Sequence, residues 1–126
     1  MLNLFQHPWF GTLLTMQFER VPCVYILASG HHGALYIGVT SDLIARIWQH
    51  REGAIASFTK RYKIHRLVHY EVFDEMESAI LREKQLKNWR RQWKINLLER
   101  DNPHWADLAV GLGLPPLDPS LGKNGS

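Results

Sequence analysis

"PCVYILASGHHGALYIGVTSDLIARIWQHREG", residues 22–53, decides the fold. It opens with β-branched and aromatic residues between a proline and a Ser-Gly pair, which reads as a strand over 22–29. "GHHG" is turn chemistry, and "ALYIGV", 34–39, is a second strand. A connection this short makes the pair an antiparallel hairpin. A hairpin closing around residues 30 and 31 places Tyr25 directly opposite Tyr36, and opposed residues share a face of the sheet. The pattern then changes from strand to helix. Thr40 or Ser41 is the expected N-cap, with Asp42 in the first turn complementing the helix dipole. Leu43, Ile44, Ile47 and Trp48 form the apolar stripe, His50 lies on its margin, Arg46 lies just beyond, and Gly53 is the expected stop.

Downstream, "RLVHYEVF", 66–73, reads as a third strand. "DEMESAILREKQLKNWRRQWKINLLER" is strongly helical, with Asp74 as the expected cap and a break near Gln92. Its stripe is Met76, Ala79, Ile80 and Leu86, and on a helical wheel Glu83 falls inside it. A carboxylate there is costly unless it has a partner or a metal. "DNPHWADL" supplies a turn and a last apolar anchor. The fold expected is α+β: a small three-stranded antiparallel sheet flanked by helices. Residues 16–108 form the domain, 1–15 an N-terminal extension without a structural role, and 109–126, rich in Gly and Pro, a flexible tail.

Composition bounds the function more loosely. The chain has 126 residues, 45% of them apolar, enough for one domain with a core. Fifteen Lys and Arg against twelve Asp and Glu give a net charge of +3, which permits a polyanionic partner. One cysteine, Cys23, excludes an internal disulfide framework and fits a reducing compartment. No segment has the roughly 20 apolar residues that a membrane span takes. The N-terminal run lacks a basic leader, so it is read as neither signal peptide nor anchor. A cytoplasmic protein is expected.

Two tyrosines on one face, an Arg and a His beside them, and a glutamate in an apolar stripe together resemble the GIY-YIG nuclease superfamily. Tyr36-Ile37-Gly38 is the second signature word intact. Cys23-Val24-Tyr25 stands where Gly-Ile-Tyr would be and keeps only the tyrosine. Arg46, ten residues after Tyr36, matches the family's helix arginine, and His50 the position held by His or Tyr. The similarity runs from residue 22 to about 108 and points to the small, single-domain bacterial branch. It implies a metal-dependent DNA endonuclease. Glu83 would hold one Mg²⁺ or Mn²⁺, mostly through water. Arg46 would grip the phosphate, Tyr25 would be the general base with His50 relaying or replacing it, and Tyr36 would orient water or phosphate. The family's late asparagine is Asn96 or Asn102, with Asn102 preferred for its place in the "NP" turn.

Lys60, Arg61, Lys87, Arg90 and Lys94 are the cations expected along a nucleic-acid backbone. Trp89 and Trp93, interleaved with basic residues, read equally as core or as stacking platforms. No appended recognition module is visible, so targeting would fall to a partner protein or a second copy. The rival reading is a nucleic-acid-binding module that keeps the scaffold without turnover.

Overall fold

The computed structural model describes residues 19–51, 64–115 and 117. The extension at 1–15, and Lys60 and Arg61, lie outside the described residues.

Three strands form one antiparallel sheet in the order β2-β1-β3. They are β1, Glu19–Ala28; β2, Leu35–Asp42; and β3, Arg66–Val72. The central strand follows from its sequence, because a strand covered on both faces needs an unbroken apolar run. Residues 23–28 of β1 are all buried. On one face, Val24, Ile26 and Ala28 join Ile37 and Val68. They pack under α2 (Met76–Asn88) and α3 (Arg91–Asp101), with Trp105 closing the cluster. On the other face, Cys23, Tyr25 and Leu27 meet α1 (Leu43–Arg51) and the short α4 (Leu108–Gly111). The α+β architecture expected from the sequence is the one observed.

The hairpin register differs from expectation by one step of the loop. Gly33 N–H donates to Gly30 C=O at 2.9 Å, and His32 takes the left-handed conformation at φ 57°. The turn therefore centres between His31 and His32. Tyr25 opposes Gly38, and Tyr36 opposes Leu27. The two tyrosines still share a face, as diagonal neighbours.

β2 also runs further than its hydrophobicity suggests. Thr40 is buried and its hydroxyl accepts from Asp42 N–H at 3.0 Å. The cap passes to Asp42, whose Oδ1 accepts from Ala45 N–H at 3.2 Å. On α1 the buried face is Leu43, Ile44, Ile47 and His50, while Trp48 is exposed. On α2 the N-cap is Glu75 rather than Asp74, without a side-chain cap bond. Its break comes at Trp89 and Arg90, both with extended backbone.

The expected tail boundary at 109 moves. Ala109 is fully buried, and Leu108, Leu112 and Leu114 pack on the cluster around Tyr25. Arg51 donates from Nη1 to Pro115 C=O at 2.7 Å. Those leucines outweigh the glycines and prolines between them, and residues 109–115 pack on the domain.

Candidate active site

The site gathers where the hairpin, α1 and α2 meet. β1 contributes Tyr25, almost wholly buried, and β2 contributes Tyr36, which is half-buried. From α1, His50 turns inward at 1% exposure. The three rings form a triangle. Centroids lie 6.3 Å apart for Tyr25–Tyr36, 5.7 Å for Tyr25–His50 and 5.2 Å for Tyr36–His50.

Gly38 makes this triangle possible. A Cβ built there would fall 2.5 Å from Tyr25 Cζ and overlap its Oη. The glycine of the second signature word is thus the slot in which the tyrosine of the first one lies. Position 23, by contrast, tolerates cysteine. Cys23 is buried and packs with Tyr25 in the core, and burial, then the charge of Asp42, pushes its thiol up to about 11. It is an inert core residue.

Tyr25 Oη and His50 Nε2 are 2.9 Å apart. Their protonation states follow from their surroundings. Burial pushes the phenol's pKa up, with Tyr36 and Glu83 adding to the rise and Arg46 opposing it. Burial, then Arg46 and His65, lowers that of His50 to about 4. At neutral pH both groups are therefore uncharged. In the Nδ1–H tautomer of His50 the Tyr25 O–H donates to the lone pair on Nε2, and in the Nε2–H tautomer the direction reverses. In the first of these the pair is a proton donor aimed at its acceptor.

Arg46 is half-buried at the edge of the triangle, and its charge acts on both Tyr25 and His50. Among the described residues no carboxylate forms a salt bridge with it. Glu83 approaches from α2, and its charge also acts on Tyr25. Its side chain is 15% exposed, and Lys87 Nζ lies 3.1 Å from Oε1. Ile80, expected in the stripe, is 36% exposed instead. The inward line of α2 is Met76, Ala79, Glu83 and Leu86.

A hard divalent ion fits this donor set. Among the described residues no three His, Cys, Asp or Glu side chains cluster to form a closed metal cage. One carboxylate, leaving most positions to water and phosphate oxygens, suits Mg²⁺ or Mn²⁺ better than zinc.

Other expected residues are employed elsewhere. Asn102 is buried, and its amide is occupied by backbone: Nδ2 donates to Val68 C=O at 3.1 Å and to Ala106 C=O at 2.9 Å, and Oδ1 accepts from Ala106 N–H at 2.9 Å. It braces the turn after α3, and none of these hydrogen bonds reaches the triangle. Asn96 is exposed and accepts from Gln92. Lys87 is paired with Glu83, and Arg90 is exposed over the Trp93 ring. Lys94 is half-buried, and burial, then Arg91, lowers its pKa.

Sequence reasoning missed two neighbours. His65 reaches His50 electrostatically. Tyr70 pairs opposite Tyr25 on β3 and packs on the same face. A bulge beside Leu27 puts Leu67 and Tyr70 on one face, which strict alternation forbids. Nothing in the sequence marks that bulge.

The model of the GIY-YIG catalytic domain matches residues 21–96, more than half of the chain. The chain belongs to the GIY-YIG family. The matched stretch contains Tyr25, Tyr36, Arg46, His50 and Glu83, and it ends before Asn102. The chain is 38% identical over 66 residues to a UPF0213 protein of Staphylococcus saprophyticus, covering 52% of this chain and 80% of that one. It is 36% identical over 76 residues to a UPF0213 protein of Haloquadratum walsbyi, covering 60% and 84%. A solution NMR structure of a UPF0213 protein from Bacillus halodurans is similar with a TM-score of 0.45 and 30% identity, over 69% of this chain and 92% of that one. Among the described residues no helix is long and apolar enough to cross a membrane. Within the GIY-YIG frame, the degenerate first word costs this chain neither the tyrosine nor its slot.

Proposed function

We infer that this GIY-YIG protein is an endonuclease that hydrolyses DNA phosphodiester bonds with one divalent metal. The observation that carries the reading is the neutral Tyr25–His50 pair, 2.9 Å apart, beside the guanidinium of Arg46 and the carboxylate of Glu83. Hydrolysis needs a base for water, a positive group at the phosphorane and help for the departing oxygen. These four side chains supply or support each one.

Arg46 binds the non-bridging oxygens of the scissile phosphate through its planar fork. Tyr36, the more exposed phenol, orients the attacking water. Tyr25 takes the proton from that water while its own proton passes to His50 Nε2. The water oxygen bonds to phosphorus, the bond to the 3′ oxygen breaks, and the departing alkoxide takes a proton from solvent to leave as the 3′ hydroxyl. An isolated phenol, pushed up by burial, is a poor base at neutral pH; the relay passes its proton on to an imidazole whose own basicity burial holds down. Substrate helps as well. The phosphate's negative charge offsets that of Arg46, one of the groups that hold the basicity of His50 down. A single Mg²⁺ or Mn²⁺ held by Glu83 would supply charge stabilisation at the leaving oxygen.

The test is nicking of labelled single-stranded, duplex, flap and branched DNA with Mg²⁺, Mn²⁺ or chelator. Cleavage should require the cation. Glu83→Gln should lower it by roughly a thousandfold, the scale of several kcal/mol of charge stabilisation. It should leave DNA binding intact or tighter, since a negative charge near a polyanion is removed, and it should leave melting unchanged. Comparable nicking by the variant would remove Glu83 from its role. Binding with no nicking by either protein would favour the module without turnover.

A further inference from the structure

Where α2 ends and the chain turns into α3, an open groove of 410 Å³ lies between Trp89, Trp93, Asn96, Leu97 and Arg100. The two indole rings stand at 83° to each other with centroids 6.1 Å apart. They form a right-angled corner, and each ring has a guanidinium against it. Arg82 lies 5.1 Å from the Trp89 centroid and Arg90 5.8 Å from that of Trp93. Trp89 also packs on the core, which accounts for it. Trp93 does not, and half of it is exposed. Nothing in the hydrolytic scheme uses this corner.

We propose that the groove holds an unpaired nucleotide of the substrate, its base stacked on Trp93 and its phosphate beside Arg90 and Arg100. The proposal rests on the DNA substrate inferred above and adds its strand form: the substrate has a single-stranded stretch next to the scissile bond. Charge selects this occupant. Residues 82–94 carry six Lys and Arg against one acid. Arg82 is held by Glu71, and Arg91 donates to the carbonyls of His32 and Gly33. Arg100 is exposed at the groove, and Arg90 is exposed over the Trp93 ring. Aromatic faces with cations beside them are how proteins hold single strands, because every base has a π-face and every linkage a charge. A duplex keeps its base faces stacked and offers none to a corner of this shape. A second copy of the chain would bring the same cations against these. The groove also lies at the end of the helix that carries Glu83. Six residues separate Glu83 from Trp89, an axial rise of roughly 9 Å.

The test measures anisotropy of a short labelled oligothymidine and of a blunt duplex, with the full chain and chelator present. Trp93→Ala should weaken oligothymidine binding by roughly tenfold and leave duplex binding unchanged. Trp93→Phe should restore most of the loss. Arg100→Glu, at an exposed position, should weaken the single strand again and gives a second reading if Trp93→Ala melts early. Unchanged oligothymidine binding in these variants overturns the proposal, as does an equal loss on both DNA forms. A dimer in sedimentation that Trp93→Ala dissolves would make the groove a contact between copies and overturn it too. Because binding is read without cleavage, a protein that nicks nothing but keeps the Trp93-dependent preference retains the groove and loses only the nuclease reading.

Discussion

His50 and Arg51 are neighbours in the last turn of α1, both largely withdrawn from water, and the chain uses them in opposite ways. Arg51 is ion-paired. Its Nη2 lies 2.6 Å from Asp107 Oδ2 and its Nη1 bonds Pro115 C=O, and both side chains of the ion pair are nearly buried. Asp107 in turn accepts from Leu67 N–H and Ala109 N–H. This knot ties α1, β3, α4 and the following loop together. His50 is uncharged, faces a phenol that is also uncharged, and has its protonation opposed by Arg46 and His65. A charge paired with a carboxylate fixes a structure; a neutral acceptor held below its ordinary basicity can still take up a proton. Burial alone does not separate the two, but the state of the partners does.

The comparison breaks most sharply at Tyr25. Tyr25→Phe keeps the ring in its slot and removes the donor to His50. Nicking should fall by roughly 10²- to 10⁴-fold, the range for a lost general base. Stability should change by only about 1 kcal/mol, the net value of one hydrogen bond. Cleavage rates paired with urea melts read both. A variant that nicks normally would pass the base's role to another group.

Asp107→Ala should invert that pattern. It strands the buried Arg51 guanidinium and removes the α4 cap, so stability should drop by about 3 to 5 kcal/mol. Turnover of the folded fraction, measured well below the melting temperature, should be unchanged. A selective loss of turnover would mean that the knot positions His50 and that the two neighbours are not separate devices.

The pH dependence of stability sharpens the same contrast. His50 in the folded chain has a value of about 4 against an ordinary 6.5. Between these values the unfolded chain binds a proton that the folded chain refuses. Its contribution is therefore complete above pH 6.5 and is lost as pH falls towards 4, by no more than about 3 kcal/mol. Glu71, lowered to about 2 chiefly by its hydrogen bond with His69 and then by Arg82, acts in a separate window below 4.5. Denaturation midpoints for wild type and His50→Leu across pH 4 to 7 should diverge, with the variant flatter. Parallel curves would place the titration elsewhere.

These contrasts were unevenly legible in the sequence. The unbroken run Cys23–Ala28 announces a central strand, and Tyr36-Ile37-Gly38 with Arg46, His50 and Glu83 announces the family. Register was harder, because it depends on how one loop closes: His32 at a positive φ moves the turn, and Tyr36 slides from opposite Tyr25 to the diagonal. The helix stripes misled in a consistent direction. A reading by hydrophobicity places Trp48 and Ile80 inside, yet His50 and Glu83 hold the inward places because the site needs them there. Charge alone does not mark a phosphate contact: carbonyls of the hairpin turn occupy the Arg91 guanidinium.

The smallest change expected to disturb the site is one methyl group. Gly38→Ala places a Cβ where the Tyr25 phenol lies, and the obstacle is a ring buried among Leu43, Ile47 and Leu67 with little room to yield. The cost should be about 1 to 3 kcal/mol, the usual range for overpacking, partly offset by the lower freedom of alanine in the unfolded chain. Displacement of the ring should lengthen the Tyr25–His50 bond, so nicking should fall while the Arg51–Asp107 knot stays intact. Gly30→Ala is the internal control: its added methyl meets nothing within 4 Å, so both stability and nicking should hold. His50 resonances followed by NMR titration give the direct readout. In Gly38→Ala the imidazole should titrate nearer its ordinary value, as the loosened pocket admits water. If instead its titration and the nicking rate both match wild type, the phenol has found another seat, and the glycine of the signature word is a strand residue rather than the mould for Tyr25.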